Sequence, residues 1–238
     1  MREDVKEDLH RCRQRLIHFL LRHHIHPPAT ITRRWTKAYR EWLGKLSMER
    51  AAAQMTLQEY RQAILECEAR LKRVETAMKE EASQGATAPI IRAIQGLRGV
   101  ALLTAVTFVT EIGNFSRFRN PAQLMAYLGM VPREYSSGAT TKRGRMTKTG
   151  NSRVRRLFIE AAWSYRHRPV VKGELAKRLD SQSGFVHETS WKAQNRLHKK
   201  YMKLVMRGKH QNLAVAAVGR ELVGFVWAIA CEAEKQVA

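Results

Sequence analysis

The chain has 238 residues, of which 43 are lysine or arginine and 21 are aspartate or glutamate, so its formal net charge is +22. A charge of this size and sign attracts polyanions such as nucleic acids. The hydrophobic fraction of 44% is close to that of ordinary globular proteins, which excludes a wholly disordered chain.

Secreted and membrane-spanning classes are not favoured by the sequence. The most apolar stretches, 100–112 and 222–231, are shorter than the roughly 20 residues that cross a bilayer. The cysteines, Cys12, Cys67 and Cys231, form no C-x-x-C pair, which is typical of a reduced chain without a disulfide framework or zinc site. The charged first residues do not resemble a signal peptide. We therefore expect a cytoplasmic protein without a membrane segment, and we predict no metal site.

Residues 1–84 are predicted to form a linker helix and a coiled-coil region. Apolar residues at steps of three and four along the first 19 positions predict an amphipathic helix that ends before Pro27. A second such repeat, typical of a coiled-coil seam, runs through Leu57, Tyr60, Ile64, Cys67, Leu71, Val74 and Met78. The seam needs an apolar partner, either the first helix folded back or a second copy of the chain, and the sequence leaves both open.

Residues 89–238 are predicted to form a second, helical domain. Two short apolar segments flank Gly96-Leu-Arg-Gly99, an arrangement similar to a helix-hairpin-helix that offers backbone amides to a DNA phosphate. The alternative is a buried helical hairpin whose glycines only permit close packing. A further helix is predicted over 213–230. Because no stretch alternates polar and apolar residues long enough for a substantial sheet, we predict a mainly α-helical fold.

A strongly basic segment lies between Arg133 and Arg156. It contains a single acidic residue, Glu134, together with Gly138, Gly144 and Gly150. Glycines let a backbone approach a ligand closely, and cations and hydroxyls supply phosphate ligands. The residues predicted to bind nucleic acid are Lys142, Arg143, Arg145, Lys148, Arg153, Arg155 and Arg156, with Gly96 and Gly99 from the helical hairpin. The alternative is a disordered, solvated basic loop.

Two runs of this sequence resemble the C-terminal domain of DEDD-type insertion-sequence transposases, a family that includes the bridge-RNA-guided recombinases. The first runs from Gly99 through Glu111-Ile-Gly-Asn-Phe and Asn120-Pro-Ala to Tyr135-Ser-Ser-Gly138. The second comprises Lys142-Arg-Gly-Arg-Met-Thr-Lys-Thr-Gly-Asn151 and the following Arg155-Arg156. The first helix is similar to the linker helix of the same family.

The resemblance implies a catalytic serine, DNA as the substrate, a guide RNA and a homo-oligomer formed through the coiled coil. The nucleophile of the family corresponds to Ser137, with Ser136 as the alternative. The four acidic residues that bind Mg²⁺ in the family lie upstream of the point that matches Met1, so we expect no cofactor within this chain. We also expect it to lack the N-terminal nuclease-like domain and to be inactive alone as a recombinase.

Two other functions stay open at this stage. One is a non-catalytic helix-hairpin-helix module that binds DNA or RNA, and the other is a coiled-coil assembly factor. A separate basic run, 191–210, has seven lysines and arginines, no acid and an apolar face. This pattern predicts an amphipathic helix that could contact a membrane, a protein or nucleic acid, and we favour contact with a nucleic-acid backbone.

Overall fold

The structure is a computed structural model that describes residues 1–137 and 140–237, and the side chains of residues 135, 136, 141–143 and 237 lie outside this description. The described chain is built largely of helices, so the predicted mainly α-helical fold is confirmed. It divides into two compact units, Met1–Ala77 and Met78–Ala238. The predicted division into 1–84 and 89–238 stays a prediction about domains.

The first unit contains α1 (Arg2–Arg22), α2 (Lys37–Lys45) and the first part of α3 (Ala51–Gln84). Helices α1 and α3 run antiparallel, because Arg2 bonds to Glu75 near one end while the ring of Phe19 contacts that of Tyr60 near the other. The hydrophobic core cluster of this unit comprises Leu9, Leu16, Phe19, Leu20, Tyr39, Leu43, Leu57 and Ile64. The seam of α3 therefore packs on α1, which is the folded-back arrangement that the sequence left open.

Polar contacts also join the helices of the first unit. Glu68 of α3 accepts two hydrogen bonds of 2.7 Å from Arg40 of α2 and one of 2.7 Å from Arg13 of α1. These bonds lower the pKa of the Glu68 carboxyl, with the Arg40 bonds as the largest cause. The thiols of Cys12 and Cys67 lie 3.8 Å apart although 55 residues separate them in the chain, a proximity that their spacing did not reveal.

The second unit begins with the end of α3 and continues through short helices to one long central helix. Its elements are α4 (Ala88–Ile94), α5 (Leu102–Ile112), α6 (Pro121–Tyr127), β1 (Pro132–Ser137), β2 (Thr140–Met146), α7 (Ser152–Ala162), a 3₁₀ turn (Trp163–Arg166), α8 (Glu174–Asp180), α9 (Gly184–Met206) and α10 (Gln211–Val237). Helix α10 contacts α4, α6, α7 and α9. Five of its residues, Val215, Val218, Leu222, Val223 and Val226, are buried in this core, so α10 lies at its centre.

Helix α10 corrects one expectation from the sequence. Over Gln211–Gln236 it is long and apolar enough to cross a membrane, whereas the predicted helix, 213–230, was shorter. Length and composition alone are weak grounds for a membrane span, because the core helix of a globular protein passes the same test. Half of the most apolar stretch of α10 is buried inside the second unit. Its apolar character is accounted for by this packing.

Strands β1 and β2 correct a second expectation, because no sheet of consequence was predicted. They form an antiparallel hairpin in which Pro132 pairs with Met146 and Ser137 pairs with Thr140. The side chains of Arg133, Glu134 and Arg145 are exposed. A two-stranded ribbon that exposes charged residues has no buried face to impose an alternating apolar pattern, so periodicity alone could not detect it.

Candidate nucleic-acid interface

Ser137 lies at the free end of the hairpin. It is the last paired residue of β1, its partner Thr140 is the first of β2, and both are exposed. The Ser137 Oγ lies 3.5 Å from the Thr140 Oγ1, and that Thr140 hydroxyl donates a hydrogen bond of 3.3 Å to the Ser137 carbonyl. The side chain of the alternative nucleophile, Ser136, lies outside the described residues. An exposed hydroxyl at this position is sterically open to a DNA backbone.

The base of the hairpin is joined to the end of α6 by close backbone contacts. Gly129 and Gly150 have φ angles of 63° and 72°, which favour glycine. A Cβ on Gly129 would lie 2.0 Å from the carbonyl oxygen of Thr149, and one on Gly150 would lie 2.0 Å from that of Tyr127. In addition, the Lys148 amide donates to the Gly129 carbonyl at 3.0 Å. These two glycines therefore hold the segment after β2 against the end of α6.

The start of α7 is held by a polar network centred on Asn151. Its Oδ1 accepts hydrogen bonds from the amides of Arg153 at 3.0 Å and Val154 at 3.1 Å, the contacts expected of an N-cap. The Nδ2 of Asn151 donates to Glu111 at the end of α5. Arg153 lies 3.4 Å from the same Glu111 carboxylate. Glu111 thereby fixes both the cap and a predicted phosphate-binding arginine.

The three arginines of α7 do not have the same role in the structure. Arg155 donates from Nη1 to the carbonyls of Leu128 at 2.9 Å and Thr149 at 2.8 Å, which ties α7 to the base of the hairpin. Arg153 is half-buried beside Glu111, and Arg156 pairs with Glu160 at 3.4 Å. We therefore assign Arg155 a positioning role. Arg156 keeps an exposed guanidinium that can still reach a phosphate.

The remaining predicted cations lie on or beside the hairpin. Arg145 in β2 and Lys148 after it are exposed, and Arg133 in β1 adds a third exposed cation. The side chains of Lys142 and Arg143 lie outside the described residues, although their backbones pair with Tyr135 and Glu134 of β1. The hairpin and the turn after it thus present positive charge on the element that carries Ser137.

The glycines of the predicted helix-hairpin-helix have packing roles. Gly96 is buried, and a Cβ there would lie 2.6 Å from Val186. Gly99 has a φ of 83° and would place a Cβ 2.3 Å from the carbonyl oxygen of Ala161. The Gly96 carbonyl also accepts a hydrogen bond of 2.6 Å from the buried Ser190. The burial of Gly96 does not fit the predicted contact with nucleic acid, and helix-hairpin-helix recognition stays a prediction.

Two features near the hairpin escaped the sequence analysis. The guanidinium of Arg117 lies 4.6 Å from the ring of Phe118 and 4.8 Å from that of Tyr127, and Tyr127 is 44% exposed. An exposed aromatic ring beside a cation is suited to stacking on a base. Glu111 is the second feature. The cation and aromatic residues within 117–127 could have indicated the first feature. The role of Glu111 depends on contacts with Asn151 and Arg153, about 40 residues away in the chain, so nothing in the sequence indicated it.

A serine nucleophile is activated by a base or by metal coordination. Within 1–137 and 140–237, no three His, Cys, Asp or Glu side chains are arranged to hold a metal ion. Phosphoryl transfer by Mg²⁺ requires converging carboxylates, and the expectation that this chain holds no cofactor stays a prediction. What the chain supplies around Ser137 is positive charge, which stabilises a phosphoryl transition state.

Residues 91–174, from within α4 to the start of α8, match the family described as Transposase IS116/IS110/IS902 family. The matching segment contains the hairpin, Ser137 and the whole of α7. This segment of the chain is therefore similar to a domain of a class of insertion-sequence transposases.

The chain as a whole is similar to proteins named as transposases. It is 43% identical over 235 residues to y4qE of Sinorhizobium fredii (strain NBRC 101917 / NGR234), a protein named as a transposase, covering 98% of this chain and 56% of that protein. It is 29% identical over 209 residues to the transposase for insertion sequence element IS1533 of Leptospira borgpetersenii, covering 87% and 60% respectively. The chain spans little more than half the length of these relatives.

Proposed function

We propose that this chain is the DNA-binding C-terminal portion of an insertion-sequence transposase, in which Ser137 performs strand exchange together with a magnesium-binding nuclease-like domain in the same complex. The observation that carries the proposal is the exposed Ser137 hydroxyl at the end of a cationic hairpin whose base is fixed to α6 and α7. The hairpin lies within the segment that matches the transposase family.

The proposed reaction is a transesterification. The Ser137 Oγ attacks a phosphorus atom of DNA, an Oγ–P bond forms, and the bond from phosphorus to one deoxyribose oxygen breaks. The leaving oxygen takes up a proton, and the serine proton passes to a base of the nuclease-like domain. Because one phosphodiester replaces another, the step needs no oxidant and no nucleotide hydrolysis. Exposed cations such as Arg145 and Lys148 stabilise the additional negative charge on the phosphate.

The other proposed partners follow from the resemblance to guided transposases. A guide RNA would choose the DNA site, and a homo-oligomer would bring two DNA ends together. In the first unit α1 already covers part of the seam of α3, so an oligomer through α3 would use its exposed residues, such as Leu65. We propose that the complex works in the cytoplasm.

Salt dependence tests DNA binding by the chain itself. The log of the affinity for a duplex should fall linearly with the log of the salt concentration, with a slope of about −0.9 for each phosphate contact. Arg145→Gln should make that slope less steep by about 0.9 without changing the preference among DNA sequences, because a phosphate contact carries no sequence information. Fluorescence anisotropy of a labelled duplex measures both. A slope near zero for the unmodified chain would remove DNA from the proposal.

A covalent adduct tests the serine mechanism. We would join this chain to the remaining part of y4qE, incubate the chimera with labelled supercoiled DNA and Mg²⁺, and look for protein-linked DNA on a denaturing gel. The adduct should disappear with Ser137→Ala and persist with Ser152→Ala, which removes another exposed serine of the same basic region. An adduct that survives Ser137→Ala would refute this role, and normal DNA binding without any adduct would favour a non-catalytic module.

A further inference from the structure

Helix α9 carries a row of lysines and arginines that the proposed strand-exchange site does not use. The row comprises Lys192, Arg196, Lys199, Lys203 and Arg207, all of them exposed, and we call it the α9 ridge. At about 100° per residue these side chains fall within an arc of about 80°, and the ridge is about 22 Å long. The ridge is therefore a continuous line of positive charge on one face of the second unit.

The ridge cations are almost free of protein partners. Arg196 is held by Glu221 of α10 at 3.1 Å. Among the residues that the structure describes, Lys192, Lys199, Lys203 and Arg207 make no ion pair. Glu188 lies one helical turn before Lys192, but residues 189–210 contain no aspartate or glutamate. No acidic residue of α9 therefore lies within one turn of the four ridge cations that follow Lys192, and cations four residues apart repel one another. A helix dipole favours cations only in the last turn, whereas the ridge covers about four turns.

Exposed apolar side chains line one side of the ridge. Trp191 is 50% exposed, Met202 40% and Met206 81%, and their helical positions place them within about 60° of one another beside the cations. A shallow groove between His198 and Arg207 is lined by Met202, Met206, Lys199 and Lys203. Aromatic and thioether groups beside cations are suited to the sugar and base surfaces next to a phosphate chain.

The ridge is separate from the proposed catalytic hairpin. Gly219 of α10 faces the Phe158 carbonyl of α7, where a Cβ would lie 3.2 Å from the oxygen. Two positions further along α10, Glu221 bonds to Arg196 and Lys200 of α9. Two residues on a helix differ in direction by about 200°. Helices α7 and α9 thus lie on opposite sides of α10, and the ridge is a different surface from the start of α7.

We propose that the α9 ridge is a second nucleic-acid-binding surface, which grips a sugar–phosphate backbone over a length of about six base pairs at 3.4 Å each. This proposal goes beyond the strand-exchange function proposed above. It rests on that function in one respect, which is that the polyanion bound by the ridge is a nucleic acid. The ridge supplies affinity and orientation rather than chemistry, because it carries no nucleophile.

The test compares two triple variants of the chain with equal loss of charge. The ridge variant is Lys192→Gln, Lys199→Gln and Lys203→Gln. The matched control replaces three exposed lysines of the first unit or α3, Lys37→Gln, Lys72→Gln and Lys79→Gln. Glutamine and lysine have similar helix propensities, so both variants should keep the helical circular dichroism and melting temperature of the unmodified chain.

Binding is measured from 50 to 200 mM salt with a 20-base-pair DNA duplex and, separately, with a 20-nucleotide single-stranded RNA. If the ridge binds duplex DNA, the log–log salt slope of the ridge variant should be less steep than that of the unmodified chain by about 2.7, which is about 0.9 for each of three lost phosphate contacts. Between 50 and 200 mM salt the affinity of the unmodified chain should therefore fall by a factor about 40 times larger than that of the ridge variant. If the ridge binds single-stranded RNA, the difference in slope is about 2.1 with that probe. The control variant should keep the slope of the unmodified chain.

Three outcomes overturn the proposal. One is a ridge variant whose slopes match those of the unmodified chain with both probes. Another is a ridge variant that loses binding only to anionic phospholipid vesicles, which would make the ridge a membrane contact. The third is equal loss in both variants, which would indicate a net-charge effect. If Arg145→Gln still reduces the slope in any of these cases, the ridge proposal fails while the proposed function stands.

Discussion

The close contact between the end of α6 and the segment after β2 can be tested at Gly129. Gly129 and Gly208 follow helices α6 and α9 in the same way. Each has a positive φ, 63° and 73°, and each is followed by an amide that bonds back to the carbonyl five residues earlier, the Schellman arrangement. They differ in their surroundings. A Cβ on Gly208 would meet nothing within 4 Å, whereas one on Gly129 would lie 2.0 Å from the Thr149 carbonyl oxygen.

This difference gives the expected magnitude. Gly208→Ala carries only the cost of a left-handed alanine, about 1 kcal/mol. Gly129→Ala carries the same cost and must also move the backbone of Thr149 by about 1 Å to reach an allowed separation of 3.0 Å. That shift weakens the backbone hydrogen bonds from Lys148 to Gly129 and from Thr147 to Val131, at about 1 kcal/mol each. We therefore expect a total loss of about 3 kcal/mol, about 2 more than for Gly208→Ala.

Thermal unfolding followed by far-ultraviolet circular dichroism measures the difference. For a chain of this length, 2 kcal/mol corresponds to a further drop in Tm of about 4–8 °C. The entropy that alanine removes from the unfolded chain is common to both variants and cancels in the comparison. Equal Tm values for the two variants would show that the segment after β2 is not held against α6, and the positioning argument for Ser137 would fail with it.

Two further predictions concern single side chains. Arg155→Met removes two hydrogen bonds to carbonyls at the hairpin base and should lower stability by about 2 kcal/mol; urea unfolding that matches the unmodified chain would contradict a positioning role. The lowered pKa of Glu68 means that its contacts with Arg40 and Arg13 stabilise the first unit above the pKa of an unfolded glutamate, about 4.3, and that this contribution disappears as the pH falls through the lower folded value. Glu68→Gln should therefore lower the free energy of unfolding by about 1–2 kcal/mol at pH 7 and make the Tm less dependent on pH between about pH 5 and 3. The control Glu59→Gln, at an exposed position, should leave the dependence of Tm on pH unchanged. If both variants showed the same dependence of Tm on pH, the stabilising role of Glu68 would be refuted.

The sequence predicted the helices well because burial of one helix face imposes a period on the residues. The apolar repeats in α1 and α3 recur at steps of three and four, as a buried helix face requires. Asn120 and Asn151, residue types that favour N-cap positions, cap the helices that follow them. The basic character of 133–156 is likewise visible in the sequence. The resemblance to insertion-sequence transposases depended on residue types in order, and residues 91–174 match the family described as Transposase IS116/IS110/IS902 family.

The hairpin and the roles of individual arginines required the tertiary structure. Arg153, Arg155 and Arg156 look equivalent in the sequence, yet their environments differ because Glu111, two backbone carbonyls and Glu160 approach them separately. Gly96 and Gly99 suggested a phosphate-binding turn, but packing from α7 and α9 decided where they lie. Periodicity reports only whether a residue faces a core.

What the amino-acid order determined by itself was local: helix periods, capping residues, the excess of positive charge and the recognisable order of residues around Ser137. The tertiary structure decided which cations are paired within the protein and which remain available to bind a ligand. Paired cations such as Arg153 are already engaged, whereas Lys192, Lys199, Lys203 and Arg207 of the α9 ridge face solvent. The physical reason is that a charge acts on whatever lies within a few ångströms of it, and most of those neighbours here are distant along the chain.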